Sequence, residues 1–479
     1  MPGRLFADSG GGAPARLRMI PFLPRRLLCL VVLAVAIAGT ALGASAASAA
    51  STDGVVVRFA PGSTAAQRAR VARAAGATVP RHIVGATWLV RSHAGARAAI
   101  HRLERRRAVV SATPEYRARV AAFAPNDTGV AQPSGPAGGW AAQQWDLVGP
   151  FGINAAGAWD SALGAGVPGG RRVRVAVVDT GVAYADRGRL RRSPDLGASR
   201  LLRGHDFVGN DPYPNDENGH GTFVASTIAA SANNGYGMVG IAYAADILPV
   251  RVLNADGGAG SARIAEGIRY AVNRGAQIIN ASIELTDPAT DPPVALSITS
   301  APDIREAIRY AHSQGVVVVA AAGNLGQGDV PSRTLGRDVI YVGGTTEHGC
   351  LGDYSNYGPG LDLVAPGGGA DADLPGDPSC RIDQPPGRNI TEVTFRRSSP
   401  GRFVVPLDYH GTSMAAPHVS GVVALLLGAG TLGDHPTPEA VEARLKATAR
   451  DLGAPGADRY YGAGLVDATA ALTAPVAAG

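Results

Sequence analysis

The chain has 479 residues, of which 46% are hydrophobic and 5% aromatic, a balance typical of a globular protein with a sizeable core. Its formal net charge of +5 is unevenly distributed, because residues 1–125 carry +14 and the remainder carries −9. The larger part is therefore acidic, which argues against nucleic-acid binding despite the basic isoelectric point. The charges favour a basic leader that docks on an acidic body.

The first 49 residues have the pattern of a secretory signal peptide. Arginines precede the apolar run 27–42, and small residues ending in Ala-Ser-Ala follow it. We predict cleavage after Ala46 or Ala49. The two arginines next to the apolar run also fit a twin-arginine export signal, but paired arginines are common in ordinary signals. No later segment is expected to span a bilayer, so we expect a secreted protein without a stable membrane anchor.

Cysteine use is consistent with export. Of the three cysteines, Cys29 lies in the predicted signal, which leaves Cys350 and Cys380. In an oxidising compartment these two can form one disulfide. The loop-like region between them, rich in Gly, Pro and Asp, favours this pairing. Two unrelated buried thiols are the alternative.

Residues 54–120 have the pattern of a small α+β module in the order strand, helix, strand, helix, strand. A segment rich in Pro, Gly, Ala and Gln follows to about residue 142 and is typical of a linker or an arm. We therefore assign 50–120 to the module and 121–143 to a linker or N-terminal arm.

Beyond this arm, apolar runs without strict alternation recur between amphipathic helical segments. Such runs are typical of strands covered on both faces, and their alternation with helices predicts a doubly wound, mostly parallel α/β sheet with helices on both faces. Functional sites in such sheets lie at the carboxyl ends of the strands. The predicted strands are 172–181, 246–253, 277–283, 316–324 and 338–345. The arrangement of the Gly/Pro/Asp-rich insertion 367–409 is not evident from the sequence.

Three separate motifs supply the groups that an activated serine needs. Asp179 ends an apolar strand, where a carboxylate needs a partner, and His220 lies between glycines before a helical pattern. Ser413, in GTSMAAPHVSG, precedes a run typical of a buried helix. Each residue alone is more often structural, as a turn aspartate or a capping histidine. Together they supply an orienting carboxylate, a base and a nucleophile.

The motifs DTG at Asp179, HGT at His220 and GTSMAAP at 411–417 resemble the three signatures of the subtilisin-like serine endopeptidases. They also follow that family's chain order of Asp, His and Ser. The resemblance covers roughly 144–470 and implies a subtilisin-like catalytic domain at 144–479. It implies a serine endopeptidase that acts on polypeptides.

The same resemblance implies a role for each residue. Ser413 is expected to attack the scissile carbonyl, His220 to accept its proton and return it to the leaving amine, and Asp179 to support the imidazolium. AAAGN at 320–324 resembles the family's oxyanion segment. Asn324 is therefore expected to donate to the oxyanion, together with the backbone amide of Ser413.

The primary substrate pocket is assigned by resemblance to Ser282-Ile283-Glu284 and to Gly323. The family commonly has glycine at the third of these positions, so Glu284 departs from its pattern. Glu284 is expected either to narrow the pocket or to favour Arg or Lys before the cleaved bond. An exposed loop glutamate with no role is the alternative. Three neighbours of Ser413 are given no part in the chemistry: His410, Met414 and His418.

No cofactor is required for chemistry of this kind, but the resemblance implies structural calcium. ANNGYGMVGIA at 232–242 resembles the family's calcium loop, with Asn234 at a side-chain ligand position. Asp195 in SPDL and Asp127 in PNDT match other ligand-bearing segments. The alternative is that these Asn and Asp residues only build turns.

The module at 50–120 resembles the family's inhibitory propeptide, and its extended end TPEYRARV is expected to lie in the substrate groove until the junction is cut. We therefore expect a monomeric zymogen, inhibited by its own propeptide and matured within 116–126. Two other classes stay open: a catalytically inactive binding protein on a subtilase fold, and a serine esterase of another α/β family. No G-x-S-x-G motif surrounds Ser413, which disfavours the esterase.

Overall fold

The computed structural model describes 54–115, 123–197, 200–286, 295–328, 330, 338–374, 380 and 385–475. The chain divides into two compact units, Met1–Arg119 and Val120–Gly479. The predicted signal peptide at 1–49 lies outside the described residues, as do residues 116–122 of the predicted maturation region.

The described part of the first unit is a four-stranded antiparallel sheet with two helices. Its elements are β1 (Gly54–Phe59), α1 (Ala65–Ala74), β2 (Arg81–Val84), β3 (Thr87–Arg91), α2 (Ala96–Glu104) and β4 (Val109–Pro114). The strand order is β2-β3-β1-β4, and Val55 and Val57 of β1 lie in a small apolar core with Leu103 of α2. Strand β2 is not among the predicted strands, because all four of its side chains are exposed and no apolar alternation marks it.

The second unit contains all the other elements. The strands are β5 (Arg174–Asp179), β6 (His205–Asp206), β7 (Asp246–Arg251), β8 (Ile278–Ala281), β9 (Leu285–Thr286), β10 (Ala295–Leu296), β11 (Val317–Ala321), β12 (Ile340–Thr345), β13 (Leu363–Pro366), β14 (Thr394–Phe395) and β15 (Phe403–Val404). The helices are α3 (Trp140–Gln143), α4 (Trp145–Val148), α5 (Ala155–Gly164), α6 (His220–Ala229), α7 (Ser261–Asn273), α8 (Pro302–Ser313), α9 (Thr412–Ala429), α10 (Pro438–Thr448) and α11 (Ala468–Thr473). Short 3-10 turns lie at Pro168–Gly170 and Ile298–Ser300.

Seven parallel strands form the central sheet, in the order β13-β12-β11-β8-β5-β7-β6. Side chains alternate along a strand, so β5 presents Val175 and Val177 to one face and Ala176 and Val178 to the other. All four are fully buried, because α6 and α9 pack on the first face and α7 and α8 on the second. The predicted doubly wound parallel sheet is therefore confirmed.

The segment 123–143 packs onto the rest of the second unit. The indole N–H of Trp140 donates to the carbonyl of Pro125 at 3.0 Å. The Trp140 ring meets the ring of Trp159 at 5.6 Å between centroids. These contacts are those of an arm rather than of a free linker.

The described part of the insertion 367–409 forms the hairpin β14–β15 and packs on α6. The Thr394 hydroxyl donates to the carbonyl of Gly219 at 2.6 Å, immediately before α6 begins. The ring of Phe223 in α6 stacks on Tyr409 at 4.3 Å between centroids. The insertion therefore supports the first turns of α6.

One helix within the described ranges, α9, is long and apolar enough to span a membrane by length and composition, contrary to the expectation from the sequence. Of its most apolar stretch, 78% is buried inside the protein. Its residues, among them Val419 and Val422, pack against the sheet as part of the larger core.

The expected disulfide joins Cys350 to Cys380, with Cα atoms 5.4 Å apart and a sequence separation of 30 residues. Closing a loop of this size restricts the unfolded chain and contributes about 3–4 kcal/mol. We expect the double variant Cys350→Ala, Cys380→Ala to unfold at a lower Tm in calorimetry. Reductant should lower the Tm of the wild type towards that of the variant and leave the variant unchanged. Equal Tm values for oxidised wild type and variant would contradict the prediction.

Candidate active site

Asp179 and His220 form a hydrogen-bonded pair at the carboxyl edge of the central sheet. Asp179 is the last residue of β5, and His220 is the first residue of α6. Asp179 Oδ1 lies 2.8 Å from His220 Nδ1. The Asp179 side chain is fully buried, whereas that of His220 is 24% exposed. The contact places the imidazole proton on Nδ1, which leaves Nε2 as the proton acceptor.

A second buried carboxylate, Asp216, holds the turn that precedes His220. Its Oδ1 accepts hydrogen bonds from the Thr180 hydroxyl at 2.9 Å and from the Gly219 N–H at 3.0 Å. Its Oδ2 accepts from the Thr222 hydroxyl at 2.6 Å and from the N–H of the same residue at 2.9 Å. Gly219 has a φ of 109°, and a Cβ there would lie 2.4 Å from a carbonyl oxygen of the insertion. Asp216 is not among the residues predicted from the sequence; its only signal there is an acid four residues before the histidine in DENGHGT.

Ser413 is the second residue of α9 and lies at the amino end of this buried helix. Its hydroxyl donates to the carbonyl of Ser282 at 3.4 Å, and the Ser282 hydroxyl donates to the carbonyl of Ser413 at 2.9 Å. Among the described residues the Ser413 hydroxyl makes no hydrogen bond to His220. It must therefore turn away from Ser282 before the base takes its proton, and such contacts are often long without substrate.

Asn324 lies just beyond β11 and is held from two sides. Its Oδ1 accepts from the Thr412 N–H at 2.8 Å and from the Thr412 hydroxyl at 2.9 Å. On the other side, Glu284 Oε2 accepts from the Asn324 backbone N–H at 2.8 Å and from Nδ2 at 3.3 Å. Glu284 is half-buried, so it is not the exposed loop glutamate that the sequence left open. Thr412 is not among the predicted site residues, and its position next to Ser413 is the only signal for it in the sequence.

The electrostatics of the pair suit His220 to act as a base. Burial of the imidazole lowers its pKa, but the charge and hydrogen bond of Asp179 and the charge of Asp216 outweigh this effect. The net result is a His220 pKa above the ordinary value of 6.5. A base of this kind is matched to proton transfer near neutral pH.

A cleft of about 800 Å³ opens beside His220. The assigned pocket residues Ser282, Ile283 and Glu284 line it, whereas Gly323 is not among its lining residues. The rest of the wall includes the glycine-rich loop before α7, polar uncharged residues such as Thr180 and Asn218, and the apolar side chains of Leu253, Ile264, Leu285 and Leu296. A partly apolar cleft of this size can hold several peptide side chains. Gly323 instead donates its N–H to the Thr412 hydroxyl at 3.2 Å.

The three residues assigned to calcium lie together, with Asp127 and Asp195 buried and Asn234 exposed at the surface. Asp195 Oδ1 accepts from Asn234 Nδ2 at 2.8 Å, and Asp127 accepts from the N–H groups of Asn233 and Asn234 at 2.8 and 3.3 Å. Both carboxylates are fully buried. Burial raises the pKa of Asp195 to about 8, against hydrogen bonds from Asn234 and Met238, and also raises the pKa of Asp127.

The donor chemistry of this cluster fits a hard cation, because two carboxylates and one carboxamide provide only oxygen ligands for it. The backbone of Gly237 lies close to the Asp195 carboxylate, since a Cβ at Gly237 would lie 2.1 Å from Asp195 Oδ2. Within the described ranges no group of three or more His, Cys, Asp or Glu side chains could hold a metal. A cation here would therefore depend on Asn234 and on backbone carbonyls in addition to Asp127 and Asp195.

The other histidines near Ser413 have separate partners. His418 Nε2 lies 2.9 Å from Asp146 Oδ2, and the side chains of both residues are fully buried. His418 Nδ1 lies 2.8 Å from the carbonyl oxygen of Met414. His410 packs against the ring of Tyr354 at 5.5 Å between centroids. The Met414 side chain is buried in the core. These contacts are structural.

Residues 170–464 match the model of the subtilase family, Peptidase_S8. Subtilisin Savinase from Lederbergia lenta is 34% identical over 304 residues, which are 63% of this chain and 91% of that protein. A thermophilic serine proteinase from Bacillus sp. (strain AK1) is 32% identical over 378 residues, 78% of either protein. A solved protease structure from Pseudoalteromonas arctica PAMC 21717 is 30% identical, with a TM-score of 0.56 over 73% of this chain and 99% of that one.

The fold and these comparisons agree. The sheet of seven parallel strands carries Asp179 and the segment 320–324 at its carboxyl edge, and the family match spans all three signature motifs. The chain therefore belongs to the subtilase family and is a subtilisin-like serine endopeptidase.

Proposed function

We propose that the chain hydrolyses peptide bonds through an acyl-enzyme on Ser413. The Ser413 hydroxyl attacks the scissile carbonyl carbon while His220 Nε2 takes its proton, and the imidazolium then protonates the leaving amine. A water molecule, deprotonated by His220, hydrolyses the acyl-enzyme. The observation that carries this proposal is the 2.8 Å contact between His220 and the fully buried Asp179, because it fixes the imidazole and supports its positive charge.

The oxyanion is stabilised by two donors in this proposal. The Ser413 N–H lies in the first turn of α9, where backbone N–H groups have no intrahelical acceptor and the helix dipole favours negative charge. Asn324 Nδ2 is the second donor, and its carboxamide is already oriented by Thr412. A preorganised side-chain donor of this type contributes on the order of 10²–10³-fold in turnover.

We further propose that the protein is secreted as a monomeric, self-inhibited precursor, with a signal peptide at 1–49 and an inhibitory propeptide at 50–120. Two observations support this proposal. The first unit is compact by itself, and its last strand β4 ends at Pro114, just before the maturation region 116–126. In addition, the charge of +14 at 1–125 complements the charge of −9 of the remainder.

We also propose that Asp127, Asp195 and Asn234 hold a structural calcium ion. The burial of two carboxylates in one cluster is unfavourable unless a cation or proton compensates their charge. Calcium would supply that compensation and tie the 232–242 loop to Asp195, without a part in the chemistry.

The catalytic assignment is tested with a fluorophosphonate probe and mass spectrometry on the secreted protein. We expect labelling of Ser413 in the wild type and none in Ser413→Ala. His220→Ala should lose labelling and peptidase activity by on the order of 10⁶-fold, the size found when a triad member is removed from subtilisin. His410→Ala is the matched control and should remain active. Equal labelling of wild type and His220→Ala would refute the activated serine.

The same mass spectrometry locates the amino terminus of the active form. A new terminus within 116–126 is the expected result, whereas an intact terminus on active secreted enzyme would contradict the precursor proposal. Labelling of Ser413 without any peptidase activity would instead favour the inactive binding protein.

The pKa of His220 predicts the acidic limb of the pH profile. Because Nε2 must be neutral to accept a proton, kcat/KM for a leucine-containing peptide should fall as the pH falls through a midpoint above 6.5. Asp179→Asn removes the charge that raises this pKa, so the midpoint should move down and kcat should drop about 10⁴-fold. Asp186→Asn changes an exposed carboxylate in the following loop and should leave the profile unchanged. An unshifted midpoint in Asp179→Asn would contradict the assignment.

Calcium is tested by calorimetry in calcium and in chelator. At a calcium concentration of about 100 Kd the folded state should gain about 2.7 kcal/mol, because only the folded chain presents the site. The Tm of the wild type should therefore be several degrees higher in calcium than in chelator, and this difference should vanish in Asp195→Asn. Asp434→Asn, an exposed loop residue, should keep the full difference. If chelator leaves the wild-type Tm unchanged, calcium does not bind here.

A further inference from the structure

Glu284 contacts the proposed oxyanion donor directly. Its Oε2 accepts from both the backbone N–H and the Nδ2 of Asn324, at 2.8 and 3.3 Å. This contact exists because β8 and β11 are neighbouring parallel strands, so the residues that follow each strand lie side by side. Glu284 therefore lies at the junction of the cleft wall and the oxyanion segment.

The same contact imposes two opposite effects on catalysis. A carboxamide nitrogen has two N–H donors, and the one that faces Glu284 is not available to a substrate. Glu284 also places a negative charge next to the point where the oxyanion forms, which is unfavourable for the transition state. At the same time it fixes Asn324, together with Thr412 on the opposite side.

Within the described ranges no Lys or Arg side chain forms an ion pair with Glu284. The cleft beside it is lined by polar uncharged and apolar residues, with His220 as the other titratable group. Because none of these described residues supplies a cation for Glu284, a basic side chain of the substrate is the partner that we consider.

We propose that Glu284 couples recognition of a basic residue before the scissile bond to the readiness of the oxyanion donor. An Arg or Lys side chain of the substrate pairs with the Glu284 carboxylate, neutralises its charge and releases Asn324 Nδ2 towards the scissile carbonyl oxygen. With an uncharged residue at that place, Glu284 keeps its hold on Asn324. This inference rests on the proposed roles of Ser413, His220 and Asn324, and in it Glu284 is a positioning and specificity residue.

The coupling predicts where the preference is observed. A guanidinium forms charge-assisted hydrogen bonds to a carboxylate that are stronger than those from a neutral amide, so a basic side chain competes well with Asn324. Because the gain is made when the oxyanion forms, it should raise kcat more than it lowers KM. A carboxylate that only attracted basic substrates would act mainly on KM.

The first test uses the active wild-type enzyme without any substitution. The four peptides differ only in the residue before the cleaved bond. This residue is Arg, Lys, Leu or citrulline, which is the uncharged counterpart of Arg. We expect kcat/KM for Arg to exceed that for citrulline at least ~10-fold, with most of the difference in kcat. Equal values for Arg and citrulline would overturn the inference, and so would a difference confined to KM.

The second test compares Glu284→Gln with the matched control Glu306→Gln, a 70% exposed glutamate on α8. Gln keeps an acceptor for the Asn324 N–H but removes the charge, so the ratio of Arg to citrulline should fall to about 1. Turnover of the Arg peptide should fall relative to that of the Leu peptide, whereas a merely structural Glu284 would lower turnover of all peptides by the same factor. Retention of the wild-type ratio in Glu284→Gln would overturn the coupling. The control should keep that ratio.

The two levels of failure are distinguishable. If the wild type is not labelled at Ser413 and cleaves none of the peptides, the proposed function fails and the inference fails with it. If it is labelled and cleaves Arg and citrulline peptides equally, only the role of Glu284 fails. Should Glu284→Gln not fold, the comparison of peptides on the wild type still decides.

Discussion

The fully buried carboxylate of Asp179 is the constraint on which the site depends. An ionised carboxylate in the interior is strongly unfavourable unless a charged or hydrogen-bonded partner compensates it, and here that partner is His220 at 2.8 Å. Asp179 cannot move to find a partner, because β5 lies between β8 and β7 in the sheet. His220 must therefore be held next to the carboxylate, and the residues around the first turn of α6 hold it there.

Two supports hold this turn from different directions. From within the unit, Asp216 ties Gly219 to Thr180, the residue next to Asp179, so that the strand end and the helix start are joined by one carboxylate. From the other side, the hairpin of the insertion in the same unit binds the Gly219 carbonyl, because the Thr394 hydroxyl donates to it. Asp216 accepts hydrogen bonds from the backbone N–H groups of Gly219 and Thr222, and the hairpin binds the carbonyl of Gly219. The insertion thus supports the backbone next to His220 through its described residues.

The sequence predicts those parts of the molecule that local pattern determines. The run at 174–179 identifies β5, because a strand buried on both faces must be apolar throughout, and its final aspartate stands out for the same reason. Strand β2 escapes prediction, because an exposed strand has no such pattern. The contact of Glu284 with Asn324 escapes for another reason: it depends on β8 lying beside β11, and strand order is not encoded in either segment alone. The support of His220 by the insertion is equally non-local.

The charge of Glu284 opposes the stabilisation that we propose for Asn324. Two like charges about 4 Å apart repel by about 4 kcal/mol at the effective dielectric constant typical of protein surfaces. A side-chain donor in an oxyanion hole contributes about 2.7–4 kcal/mol. In the coupling that we propose, an unpaired Glu284 carboxylate therefore opposes the stabilisation by Asn324, by an amount that falls as its distance from the oxyanion grows. Because the described residues supply no cation for Glu284, the proposed coupling assigns that compensation to a positive charge on the substrate.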